Sequence, residues 1–269
     1  MQLAGGCVMS ENNFSAGFDS GFDDDDSGFD DDLFQTGQSK TGYLQNEEAL
    51  IFFRKKLLGW NTVAMTGASA GAVGLMGMPL VTFAGAAVAG IANELSLPIE
   101  RIVSVMEMLL AEFKEEGGIT ITPQVKTEQG TIDLLIKTAD GRYFAFGLRS
   151  NGESRIKWRA DRQGLFAIKK GGTRIWSDGN SLGQKMDSSI LALKEQKNPL
   201  FGTSNTERKK TIIKGIILTA KTRIDPNNDP ALLVDFGRTK ALRVQTDTIL
   251  YLVDKANVAN FLRKPIITS

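Results

Sequence analysis

A run of cations interleaved with aromatic residues is the clearest chemical feature of this chain. Between residues 149 and 174, eight Lys and Arg residues stand among Trp158 and Phe166, and Trp176 follows. Cations bind phosphate groups and rings stack on bases, so the combination is typical of a surface that follows a nucleic-acid backbone. The alternative is that both tryptophans are core residues and the charges form an ordinary solvated face. The predicted nucleic-acid-binding residues are Arg149, Arg155, Lys157, Trp158, Arg159, Arg162, Lys169, Lys170 and Arg174.

Two residue types that carry much of enzyme chemistry are nearly absent. The chain has no histidine, which excludes serine–histidine and cysteine–histidine catalysis and histidine-ligated zinc. Its one cysteine, Cys7, excludes an intramolecular disulfide and fits a reducing compartment. We therefore expect a cytoplasmic protein in which any catalysis depends on carboxylates, Lys, Tyr or Ser.

The charges are strongly separated along the chain. Residues 1–50 carry eleven acids against Lys40 alone, whereas residues 119–269 carry 26 Lys and Arg against 14 Asp and Glu. Such a separation favours a polyanionic partner, either nucleic acid or an anionic membrane surface. The acidic arm could then compete for the same basic face. The alternative is that the charges serve solubility.

The acidic arm, residues 1–44, repeats a short Ser-Gly-Phe-Asp unit and has too little apolar area to offset chain entropy. We expect it to be disordered when free. Single phenylalanines among aspartates are typical of weak multivalent motifs, which predicts a protein partner for the arm. The predicted contact residues are Phe18, Phe22, Phe29 and Phe34. A solvated tail without a partner is the alternative.

Residues 45–95 predict an amphipathic helix followed by a Gly/Ala-rich helical hairpin. Residues 57–93 contain no charged residue, and Pro79 divides them into two arms of similar length. The stretch exceeds the roughly 20 residues that cross a bilayer. However, its many Ala, Gly, Ser and Thr residues contribute little transfer energy. Membrane insertion, a hairpin buried in the fold and self-association into a homo-oligomer stay open. Insertion would place the protein at the cytoplasmic face, because Arg54 to Lys56 flank the segment.

The basic domain, residues 96–269, predicts a defined order of elements. A helix is expected from Pro98 to about residue 116, followed by strands at 119–125, 131–138 and 142–148. Asp140-Gly141 predicts a hairpin between the second and third strands. A basic and polar stretch, a helix over 182–197 and a buried strand over 212–220 come next. Further strands are expected at 231–236, 241–245 and 249–253, before a closing helix at 256–262.

This order, with an Asp in the second strand, resembles the PD-(D/E)xK nuclease fold and, within it, the nuclease-related domain called NERD. The matching segments are Gly130-Thr-Ile-Asp-Leu-Leu-Ile136, Tyr143-Phe-Ala-Phe-Gly-Leu-Arg149 and Ser181-Leu-Gly-Gln184. The resemblance implies a restriction-endonuclease-like mixed sheet flanked by helices. It also implies a site in which acids on two adjacent strands hold a divalent ion beside a lysine.

The implied site departs from the family pattern. Asp133 matches the first acid, but Gly147 stands in place of the second and Arg149 in place of the lysine. A single carboxylate is a poor magnesium site, and an arginine stays protonated. The resemblance therefore implies a pseudoenzyme without a cofactor, with Asp133 and Gln184 as relic positions. Asp133 could instead serve structure by holding Arg149.

Three functions follow from these patterns. The leading hypothesis is a nuclease-like α/β domain that binds nucleic acid or another polyanion without cutting it. The second is a membrane-associated or self-associating scaffold. The third is a magnesium-dependent nuclease whose second acid has migrated to Glu128, Glu153 or Asp161.

Overall fold

The computed structural model describes residues 38–39, 42–74, 79–116, 118–196, 198–201, 204–237, 239–245 and 248–264. The part of the acidic arm that contains Phe18, Phe22, Phe29 and Phe34 lies outside these residues. Gln38–Ser39 pairs with Gly42–Tyr43 as a two-residue antiparallel ladder. Leu44 is buried in the core, and the Tyr43 hydroxyl accepts a hydrogen bond from Asn198 Nδ2 at 3.1 Å. Packed chain therefore begins slightly before residue 45, the predicted boundary.

Two long helices form the hairpin. Helix α1 spans Asn46–Gly74 and α2 spans Pro79–Glu112. Helix α1 joins the predicted amphipathic helix to the first arm of the hairpin. Helix α2 runs through Pro98, where a new helix was expected to begin. Ala92, Ser96 and Ile99 continue one buried seam across the proline, so packing outweighs the hydrogen bond that Pro98 cannot make. No helix among the described residues is both long enough and apolar enough to cross a membrane.

A seven-stranded mixed sheet forms the centre of the domain. Its strands are β1 Ile119–Thr127, β2 Gly130–Thr138, β3 Tyr143–Arg149, β7 Ile212–Leu218, β9 Leu233–Phe236, β10 Thr239–Gln245 and β11 Ile249–Asp254. Their order across the sheet is β9-β10-β11-β7-β3-β2-β1, in which β3, β7 and β11 are parallel neighbours and the other pairs are antiparallel. All seven residues of β7 are buried, as its nearly continuous apolar run predicts.

A second, four-stranded sheet takes three of its strands from the basic and polar stretch before helix α3 (Ser177–Glu195), for which the sequence predicted no element. Strands β4 (Arg155–Arg159), β5 (Gly164–Lys169) and β6 (Gly172–Ile175) form an antiparallel meander. Strand β8 (Arg223–Ile224) adds to its edge, parallel to β4. The sheet order is β8-β4-β5-β6.

Helices cover both faces of the large sheet. Helices α1, α2 and α5 (Val258–Arg263) share one apolar core with it, while α3 (Ser177–Glu195) and the inner side of the small sheet share the other. Helix α4 (Asn205–Lys209) is a short link before β7. The buried Lys214 ammonium bonds to the Asp187 carboxylate and the Thr248 hydroxyl, which fastens α3 to the sheet. The predicted mixed α/β class is confirmed. The predicted order helix, three strands, helix, strand is incomplete, because the three strands β4 to β6 of the small sheet stand before α3.

Candidate nucleic-acid interface and the Asp133–Arg149 pair

The small sheet has a basic outer face because its residues alternate. In β4, Ile156 is fully buried and Trp158 packs on the inner core, so Arg155, Lys157 and Arg159 project outward. Strand β8 extends this pattern, because Arg223 pairs with Arg155 while Ile224 pairs with Ile156 and packs inward. We call Arg155, Lys157, Arg159 and Arg223 the cationic column. Alternate residues of a strand lie about 6.7 Å apart, so the three β4 cations form a regular row, and Arg223 stands beside Arg155 on the neighbouring strand.

An apolar column lies beside the cationic one. Lys157 pairs with Phe166, which pairs with Ile175, and Arg155 pairs with Ile168. Phe166, Ile168 and Ile175 therefore share the outer face, and Ile175 is 64% exposed. A shallow depression of about 480 Å³ lies between the columns, lined by Lys157, Arg159, Phe166, Ile168 and Thr173, among other residues.

Phe166 belongs to neither apolar core, although it is only 4% exposed. Its ring is covered from outside by the guanidinium groups of Arg159 and Arg162, which lie 5.3 and 5.9 Å from the ring centroid. Asp161 accepts hydrogen bonds from Arg159 Nε and Nη2 at 3.2 and 2.9 Å. The bond from Arg159 is the main cause that lowers the pKa of Asp161. One carboxylate thus holds a cation over the ring.

The structure divides the remaining predicted binding residues. Trp158 is half-buried against the inner core and Trp176 is buried, so both tryptophans act as core residues, as the structural alternative proposed. Lys169 and Lys170 flank the β5–β6 turn. Arg174 pairs with Ala167, which is buried, and therefore stands on the other face of the sheet from Phe166. Arg149 belongs to the large sheet.

Arg149 forms an ion pair with Asp133. The Arg149 Nη1 atom donates to Asp133 Oδ2 at 2.6 Å, and the backbone N–H of Leu148 donates to the same oxygen at 2.7 Å. The β2–β3 ladder ends at the pair Leu134 and Phe146, one residue earlier. The carboxylate therefore replaces the next backbone bond between the strands. This is the structural role that the sequence left open for Asp133.

The position of the second acid is filled by packing. A Cβ atom built on Gly147 would lie 2.4 Å from Leu182 Cδ2, far inside the normal carbon–carbon contact of about 3.5–4.0 Å. Leu182 comes from α3 and is buried beneath the sheet. Gln184, two residues later on the same helix, is exposed. A longer side chain at residue 147 has no room unless Leu182 moves.

A second arginine approaches the Asp133–Arg149 pair. Burial in α2 lowers the pKa of Arg101, and the positive charge of Arg149 lowers it further, while Asp133 opposes both. Two cations thus share the field of one carboxylate. Among the described residues, no three His, Cys, Asp or Glu side chains are grouped closely enough to hold a metal ion.

The three acids considered as migrated ligands lie in different places. Glu128 is in the β1–β2 turn, Glu153 is in the loop before β4, and Asp161 binds Arg159. None of them is a partner of Asp133 or of its arginine in the ion pairs of the described chain.

Sequence reasoning missed Arg223, Arg101 and the small sheet itself. The alternation Arg-Ile-Lys-Trp-Arg over residues 155–159 was the available signal for β4. The pairing of Arg223 with Arg155 joins residues far apart in the chain and had no local signal. Comparisons of the chain with protein-family models, with curated proteins and with solved structures found no match.

Proposed function

We propose that this protein binds nucleic acid through the outer face of its small sheet and does not cut it. The observation that carries the proposal is the cationic column, in which alternate residues of β4 and Arg223 of the neighbouring strand project from one sheet face. A fifth cation, Arg162, extends it at the end of β4. Asp161 pairs with Arg159, and Asp254 interacts electrostatically with Arg223. Five cations against these two acids leave the face an excess of positive charge. Phosphate contacts of this kind supply most sequence-independent affinity for nucleic acid.

The surroundings of Asp133 and Gly147 support the proposal that the protein does not cut nucleic acid. Asp133 is already engaged by Arg149 and Leu148, and Leu182 fills the space beside Gly147. A carboxylate that neutralises an arginine is a weaker ligand for a divalent ion, and magnesium needs further oxygen ligands. The nuclease-like scaffold would then act as a frame that presents the small sheet.

The proposal is tested by fluorescence anisotropy with a labelled oligonucleotide. The variant Arg155→Gln, Lys157→Gln, Arg159→Gln removes three charges from the cationic column. The control Lys55→Gln, Lys185→Gln, Lys240→Gln removes three charges at exposed positions elsewhere. We expect the first variant to bind at least tenfold more weakly and the control to bind nearly as the parent does. Equal losses in both would show that net charge, and not this face, determines binding.

Anionic vesicles in the same assay address the rival polyanion. If phosphatidylserine vesicles displace the oligonucleotide from the parent protein at matched phosphate concentration, the partner is a membrane surface and the proposal is wrong. We expect no such displacement, because a flat charged surface cannot use the depression around Phe166.

A second candidate function, self-association through the hairpin, has its own observation. Leu58 and Met65 lie seven residues apart on α1 and are 66% and 74% exposed, and Ile91 on α2 is 59% exposed. Large exposed apolar side chains on an uncharged hairpin are typical of an association surface. This candidate concerns a different part of the chain and is compatible with nucleic-acid binding.

A further inference from the structure

The two columns on the small sheet differ in chemistry, and this difference points to one class of nucleic acid. Strands β8 and β4 present cations, whereas β5 and β6 present Phe166, Ile168, Thr173 and Ile175. Neighbouring strands lie about 4.8 Å apart, so Arg155 and Lys157 each have an apolar or aromatic neighbour at that distance, Ile168 and Phe166. Arg159 pairs with Gly164, and its guanidinium group lies over the Phe166 ring instead. A ligand that covers both columns must carry a row of negative charge beside a row of flat apolar groups.

We infer that the face binds an unpaired single strand, with phosphates on the cationic column and bases over Phe166, Ile168 and Ile175. This inference rests on the proposed function and names its substrate class. In a duplex the faces of the bases are stacked and enclosed by the backbones, so only the cationic column could be used. A single strand can turn its bases onto an aromatic ring while its phosphates stay on the neighbouring cations.

Phe166 is the centre of the predicted base site. It lies outside both cores, at the base of a depression of about 480 Å³, and its cover consists of cationic groups. A guanidinium plane stacks on a base as readily as on a phenyl ring. When a base arrives, Arg159 and Arg162 can therefore exchange the ring for the base or for a phosphate.

Asp161 opposes this exchange. Asp161 accepts two hydrogen bonds from Arg159, and its Oδ2 atom lies 3.9 Å from Arg162 Nε. It therefore competes with an incoming phosphate for both cations. The site is thus closed by its own carboxylate until a stronger anion replaces it. Removing the charge of Asp161 should leave both guanidiniums available.

The test uses the full chain and three labelled probes of about 20 nucleotides, which exceed the footprint of one small binding domain. They are a single strand, the same strand in a duplex, and a strand of equal length with abasic sites throughout its centre. The abasic probe has the same phosphates but lacks the bases. We expect the intact single strand to bind about 5- to 100-fold tighter than the abasic one, the range that base–aromatic stacking supplies. The duplex should resemble the abasic probe.

Variants assign the difference to this face. Phe166→Leu should reduce the ratio of the affinities for the intact and the abasic strand. Ile175→Ala should reduce the same ratio, and because Ile175 is 64% exposed, this second variant does not threaten folding. Asp161→Asn should tighten all three probes about two- to tenfold, because one repelling charge is removed. The matched control is Asp235→Asn, which removes an exposed ion-paired carboxylate at the far edge of the large sheet.

The outcomes separate the two proposals. Equal affinities of the parent protein for the intact and abasic strands would overturn the single-strand inference and leave backbone binding intact. A failure to bind any of the three probes would overturn the proposed function, and the inference with it.

Discussion

Replacing Gly147 by alanine tests whether packing fills the position at which the resemblance to nucleases implies a second acid. The new Cβ would lie 2.4 Å from Leu182 Cδ2 and 3.2 Å from its Cγ. Because normal contact is about 3.5–4.0 Å, Leu182 must move by roughly an ångström within a buried core. Overpacking of this kind costs about 1–3 kcal/mol. Gly147 does not have a positive φ, so alanine should cause no backbone strain there.

The assay is urea unfolding followed by circular dichroism, arranged as a double-mutant cycle. Leu182→Ala alone leaves a cavity and should cost about 2–5 kcal/mol. In that background Gly147→Ala should cost little, because its methyl group enters the space that Leu182 left. A coupling of about 1–3 kcal/mol is therefore expected between the two changes. Gly171→Ala is the matched control, since a Cβ at Gly171 meets no atom within 4 Å. Strict additivity of the two changes would refute the closure.

Three further predictions concern other parts of the chain. Deleting residues 1–37, which carry nine acids and no base, should tighten oligonucleotide binding at low salt, and the gain should shrink with added salt; equal affinities would remove the arm as a competitor. Burial raises the pKa of Asp254, whose Oδ1 accepts a bond from the Ile224 N–H at 3.1 Å. Because the pKa is raised in the folded state, the charged carboxylate destabilises the fold, and Asp254→Asn should raise the free energy of unfolding at pH 7.5. This gain should disappear as the pH falls towards the unfolded-state pKa of about 3.9. A gain that persists at acidic pH would contradict this prediction. Leu58→Lys with Met65→Lys should lower the sedimentation coefficient if the hairpin self-associates, whereas Leu191→Lys, at an exposed apolar site on α3, should not.

Much of the large sheet was predictable because its signals are local. The nearly continuous apolar run of β7 indicates a strand buried on both faces, and Asp140-Gly141 indicates the β2–β3 turn, where Gly141 has a φ of 79°. Periodic apolar residues gave the helix after Pro98, although not its start. Its true start depends on the seam with α1, which is a tertiary contact that overrides the local proline signal.

The candidate site was less predictable, because it depends on which face each residue takes. Charge counting placed Arg149, Arg159 and Arg174 in one group, whereas the structure places them on the large sheet, the outer face and the inner side of the small sheet. Phe166 was identified as one of several rings, but its isolation from both cores follows only from strand pairing. The closure of Gly147 by Leu182 joins two elements and has no signature in either segment.

Binding without cleavage is tested by measuring both in the same sample. The full chain is incubated with a labelled single strand in magnesium or manganese, at a protein concentration above the dissociation constant. Anisotropy is recorded, and the same sample is then run on a denaturing gel. We expect a saturating rise in anisotropy and an intact strand on the gel. Shortened products that require the metal and disappear in Asp133→Asn, or an anisotropy that never rises, would contradict it.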